Sequence, residues 1–190
     1  MKKIMLLFVL MLSISIQAQE HLKFMGIPID GSVEKFAKKL EAKGLKKVSK
    51  PNERVMLAGT FAGNEDCYIM LSSGNGQNKT IEGVGVILPA SDSWSIVMTK
   101  YQTLKTQLST KYGKPTTVEE EFYKYEPSTD FLRFYEVQNG NAIFKTSFYS
   151  EEGYIALNIS SVEIGKGYVQ LIYVDNANSL MRNKDALDDL

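Results

Sequence analysis

The hydrophobic period of this chain switches from helical to strand-like twice, and that double switch constrains the fold more than any single motif. Asp30-Gly31-Ser32 makes a turn with Ser32 placed to cap a helix. Val33, Phe36, Ala37 and Leu40 then recur at i, i+3, i+4 and i+7, one face of a helix. Gly44 ends it, with Lys38, Lys39 and Lys43 toward the negative end of the helix dipole. Residues 22–29 before it read as a short extended segment. Alternation follows: Val55, Leu57 and Phe61 share one face of a strand, Cys67, Ile69 and Leu71 one face of the next, and Val84, Val86 and Leu88 a third.

The pattern then restarts. Ser91 or Ser93 caps a longer helix with the stripe Trp94, Val97, Met98, Tyr101, Leu104 and Leu108, which Gly113 closes and Pro115 keeps from continuing. Residues 116–123 alternate again, with Val118 and Phe122 to one side. Residues 128–138 read as a short second helix carrying Phe131, Leu132 and Tyr135. Strands are predicted over 142–149, 154–160 and 168–174, with Asn139-Gly140 and Glu152-Gly153 as turn pairs.

Neighbouring strands that alternate apolar-in and polar-out imply an α+β fold, an antiparallel sheet covered on one face by helices. The expected organisation is a single globular domain over 20–175 built from two tandem helix-then-strands units, 22–90 and 91–175, followed by a tail over 176–190. The segment from Thr60 to Leu71 also lies against that from Ser147 to Leu157 with one gap: both run from an aromatic strand end through an acidic turn to Tyr-Ile-x-Leu. Two unrelated amphipathic hairpins would look the same, so duplication stays open.

Lys2 and Lys3, the apolar run from Ile4 to Ile16, and the polar boundary Gln17-Ala18-Gln19 form the pattern of a secretory signal peptide over 1–19. The run is well short of the roughly 20 apolar residues that span a bilayer. Cleavage near Ala18 leaves 20 basic against 22 acidic residues, a net charge near −2. No Cys lies there to carry a lipid. The mature protein is therefore expected to be soluble, periplasmic or secreted, with no stable membrane insertion. Its charge balance argues against nucleic acid as a partner.

One His and one Cys in the whole chain remove most catalytic machinery. His21 lies just beyond the expected cleavage point, where termini fray, and so is not expected to serve as a held catalytic base. Cys67 falls in phase with Ile69 and Leu71 and reads as a small buried hydrophobe with an inert thiol. No zinc cluster is present, and Asp175-Asn176-Ala177-Asn178 lacks the spacing of a calcium loop and reads as a solvated turn. Ser73-Gly74-Asn75-Gly76 reads as a hairpin loop without phosphate-binding context. No metal and no cofactor is expected. Carboxylates are the remaining catalytic option: Glu119, Glu120 and Glu121, Glu151 and Glu152, or Glu65 and Asp66, as acid and base for glycoside cleavage.

Tyrosine supplies the other functional signal. If Cys67, Ile69 and Leu71 point inward, Tyr68 points out; by the same phase so do Tyr154 and Tyr168, while Tyr123 and Tyr125 face away from Phe122. Such rings either pair across strands to stabilise an open sheet face or present rigid aromatic area with a polar tip to a ligand. The expected function is an exported, non-catalytic binding protein for an envelope protein, peptide or glycan, with these five tyrosines as candidate ligand-binding residues. The alternative is a small glycosidase-like envelope hydrolase working through carboxylates.

The helix ending in Lys111-Tyr112-Gly113-Lys114-Pro115, the strand start Gly153-Tyr154-Ile155 and the close at Tyr173-Val174-Asp175 resemble small exported Bacteroidales-type proteins of unknown function. The tandem helix-plus-sheet arrangement also resembles the architectures of the β-lactamase inhibitor protein and of the outer-membrane assembly lipoproteins. That likeness implies a fold and carries over no binding residues.

Overall fold

The structure is a computed structural model that describes residues 20–49, 54–73 and 80–179. The expected signal peptide, the loop after Ser73 and the tail beyond 179 lie outside the described residues.

The chain opens with a hairpin, β1 (Lys23–Phe24) and β2 (Ile27–Pro28), turned by Met25 and Gly26, both at positive φ. The predicted single extended segment is therefore doubled back. Gly26 takes the left-handed backbone without a side-chain penalty. Helix α1 (Val33–Glu41) follows, and the Ser32 hydroxyl accepts from the Lys35 N–H as its cap. Its buried residues are the four of the predicted stripe, Val33, Phe36, Ala37 and Leu40. Strands β3 (Lys46–Lys47), β4 (Met56–Phe61), β5 (Asn64–Ser73) and β6 (Ile81–Ile87) form an antiparallel meander.

The second unit repeats the plan with an extra helix. Helix α2 (Trp94–Tyr112) buries Trp94, Val97, Tyr101, Leu104 and Leu108. Its N-terminal N–H, from Trp94, is capped from a distance by the Asp130 carboxylate at 3.0 Å, and the Ser93 hydroxyl takes no part. Strand β7 (Thr117–Phe122) leads to helix α3 (Asp130–Gln138), then to β8 (Ala142–Tyr149), β9 (Gly153–Glu163) and β10 (Lys166–Asp175). All ten strands but the first two join one eight-stranded antiparallel sheet in the order β3-β4-β5-β6-β10-β9-β8-β7. The last strands of the two units thus pair in the middle, Val86 facing Leu171.

This is the α+β fold read from the sequence. One register row of the inner face runs Leu57, Ile69, Val86, Leu171, Leu157 and Thr146, all buried. The three helices lie over that face in one continuous apolar core. Phe24 of the first hairpin stacks on Phe61 and meets the Tyr173 ring edge-on, so this core crosses the seam between the units. No helix among the described residues is long and apolar enough to cross a membrane.

Three further expectations need correction: the buried side of α3, the fraying of His21 and the solvation of Asp175. Helix α3 forms, but its buried residue is Phe134; Phe131, Leu132 and Tyr135 face out, Phe131 at 52% exposure. The physical reason is Gly167, whose missing side chain leaves room for the Phe134 ring above β10, inside a cage with Trp94. Val118 is in phase with the inner face yet 48% exposed, because β7 is the sheet's last strand and has no neighbour beyond it. His21 is held rather than frayed: its Nδ1 lies 3.1 Å from a carboxylate oxygen of Asp175. Asp175 is no solvated turn residue either. It is fully buried, accepts from the Leu22 N–H at 2.8 Å and the Asn178 N–H at 2.9 Å, and begins a helical turn over 176–179. The Asn178 side chain in turn donates to the carbonyls of Ile29 and Ile81, so the start of the tail is part of the core.

Candidate functional site

The face of the sheet turned away from the helices has no element over it among the described residues. Strand phase decides what it displays, because residues at even spacing from each buried one must point the other way. One register row crosses the strands as Ala58, Tyr68, Ile87, Gln170, Asn158, Lys145 and Glu119. The next carries Met56, Met70, Gly85, Ile172, Ala156 and Ser147. The face is therefore divided. Its β4–β5–β6–β10 half is mainly apolar, with Tyr68 at 47% exposure, Met70 at 36% and Gln170 as a polar member, whereas its β9–β8–β7 half carries Asn158, Lys145 and Glu119. Glycines and alanines keep it low around Gly85 and Ala156, and the larger side chains stand up beside them.

The five candidate tyrosines do not form one patch. Tyr68 stands in the apolar half. Tyr154 lies at the other end of the face, where its ring packs on Tyr149 of the adjacent strand at 4.6 Å and its hydroxyl lies 3.3 Å from that of Ser147. That is the cross-strand pairing that stabilises an exposed sheet face. Tyr168 opposes Ser160 near the β9–β10 turn and lines a cavity of about 350 Å³ with Ser91, Asp92, Glu163 and Lys166. A second cavity of about 280 Å³ opens nearby between β8 and β9, beside Lys145, Asn158 and Ser160. Tyr123 and Tyr125, the more exposed pair, sit beyond the end of β7 and belong to the sheet's edge, not its face. Sequence reasoning missed Met70, Ile87, Tyr149 and Ile172; each follows from the same phase argument, but attention to tyrosine alone passed over three of them.

The three consecutive carboxylates Glu119, Glu120 and Glu121 do not converge, because they alternate between the two sides of β7. Glu120 points under the sheet, where its carboxylate meets Lys105 Nζ at 2.6 Å beside Tyr101 and Thr146. Burial alone would push Glu120 up, but hydrogen bonds from the Lys105 and Tyr101 side chains and the lysine charge hold it below the usual carboxylate range. It is an ionised, paired group and not a proton donor. Glu119 and Glu121 point to the open side. Asp92 and Glu163 share the Tyr168 cavity, but both are exposed, and Glu163 lies 3.5 Å from Lys166 Nζ. A general acid needs desolvation that such groups lack. Among the described residues no group of three or more His, Cys, Asp or Glu is placed to hold a metal ion. Cys67 is fully buried, and burial pushes its thiol up, away from the reactive thiolate.

No family model matches the chain, and neither the curated proteins nor the solved structures compared with it provide a match.

Proposed function

We propose that this is an exported, non-catalytic binding protein whose recognition surface is the open face of the eight-stranded sheet. The observation that carries the reading is the apolar half of that face, where Tyr68, Met70, Ile87 and Ile172 project from three adjacent strands, β5, β6 and β10, with no layer above them among the described residues. Contiguous exposed apolar surface on a folded domain marks an interaction site more often than a resting one. Tyr and Met are side chains that interfaces favour, the first for rigid amphipathic area and the second for adaptable packing. The polar half, with Asn158, Lys145 and Glu119, supplies the rim that orients a partner. Export rests on the basic-then-apolar N-terminal pattern.

The test is the double variant Tyr68→Ser, Met70→Ser in the mature protein, used to capture partners from native cell envelope. Thermal melts should move little, because both side chains are already exposed, while a partner held by the wild type should be lost. A partner retained at full strength, or a variant that unfolds, refutes the open face as the recognition surface.

A further inference from the structure

The two edges of the sheet are built differently. On one side β3 is two residues long and both are exposed lysines. Short, lysine-bearing edges are a common protection against unwanted strand pairing. The other edge, β7, is six residues long and holds an unbroken register with β8 from Thr117↔Ser147 to Phe122↔Ala142, with no proline and no bulge. Its hydrogen-bonding sides follow from that register. The Tyr123 N–H bonds the Asn141 carbonyl, which puts the backbone groups of Glu121, Glu119 and Thr117 against β8. The N–H and C=O groups of Val118, Glu120 and Phe122 therefore point out of the sheet, and none has a backbone partner among the described residues.

We infer that β7 is an acceptor edge for an extended, antiparallel peptide segment in which basic and apolar residues alternate. The free backbone groups make the site, and the side chains set the partner. On the open side of the sheet an added strand would meet Glu119 and Glu121, both exposed and, among the described residues, without an ion pair. Opposite charges directly across a strand pair stabilise it and like charges oppose it, so lysine or arginine fits there. On the helix side the neighbours are Val118 and Phe122, with the charge of Glu120 already taken by Lys105, so apolar residues fit there. A second copy pairing β7 with β7 would set glutamates against glutamates and is disfavoured by the same rule. Strand addition of this kind draws affinity from the main chain and selectivity from alternate side chains. The inference does not depend on the open face being a recognition surface.

The probe is a synthetic nine-residue peptide alternating lysine and valine, titrated into the mature full-length protein. In an antiparallel pair the peptide N–H groups facing β7 belong to the residues whose side chains share the Val118 side, the valines. Binding should therefore fall at least tenfold when the valines are N-methylated and persist when the lysines are. A glutamate–valine peptide should bind at least tenfold more weakly, and Glu119→Lys with Glu121→Lys should reverse that preference. The amides of Val118, Glu120 and Phe122 should slow in hydrogen exchange on peptide addition. Equal binding by both methylated forms would reduce the effect to charge attraction and overturn the inference. So would absence of binding at millimolar peptide, or concentration-dependent self-association that the two lysine substitutions abolish.

Discussion

Asp175 shows how one residue can close a structure. Its buried carboxylate gathers the Leu22 and Asn178 N–H groups and the His21 ring, while Asn178 ties down two further carbonyls. Asp175→Ala strands those donors in the interior and should cost about 3 kcal/mol in chemical denaturation, with faster exchange at the Leu22 amide. None of this was legible in the sequence, since a polar hub has no period and its members lie at opposite ends of the chain. Cys67 is the contrary case, placed inside by its phase alone; it should resist thiol reagents until the protein is unfolded, and native-state labelling would show that the strand is turned. Glu120 makes a pH prediction. Its proton affinity is lower in the folded than in the unfolded state, so its contribution is complete above the ordinary carboxylate range near pH 4.5 and drains as pH falls through the folded value. Urea melts of wild type and Glu120→Gln should therefore differ at pH 7 and converge toward pH 3; a constant gap would mean that the Lys105 pair does not set the affinity.

Among the elements, α3 separates what periodicity can and cannot decide. The existence and extent of the helix were readable, as were β8 and the caps at Ser32 and Gly113, because patterning and punctuation agree there. The buried side of α3 was not, since Phe131, Leu132 and Tyr135 lie opposite the polar stripe Asp130, Arg133 and Glu136, so periodicity turns them inward, whereas the structure buries Phe134 and leaves all three exposed. Gly167, more than thirty residues away, makes the choice. Phe134→Ala should accordingly cost about 3–5 kcal/mol, whereas Leu132→Ser or Tyr135→Ser should stay within about 0.5 kcal/mol by thermal or urea melts. Gly167→Ala tests the cause directly: its new methyl would collide with the Phe134 ring and should destabilise by about 1–3 kcal/mol, an effect that Phe134→Ala in the same chain should largely relieve. The first hairpin was hidden for a simpler reason. Its turn, Met25-Gly26, leaves strands of two residues each, too short for alternation to register.

At the scale of the whole molecule, the two units share one core and one sheet. Their sequence announced two helix-then-strands passages but not how they meet, because nothing local in β6 or β10 names the other as its neighbour. A fragment spanning residues 20–90 would keep β6 as an unpaired edge and lose Tyr173 from the ring of Phe24; it should show no cooperative thermal transition, and a sharp one would mean that the unit is autonomous. The position of β10 also has a consequence in time. It is the last of the described strands in chain order and yet lies at the centre, bonded to β6 on one side and β9 on the other. Val86 meets Leu171 only after the chain between them has been laid down, so the middle of the sheet waits for the largest loop closure among its strand pairings. Refolding should fall in the slow range of non-locally paired sheets, milliseconds to seconds, with weakened β6–β10 contacts slowing it further. Until that closure the protein is two unfinished sheets, and the order in which its strands arrive governs how long it stays that way.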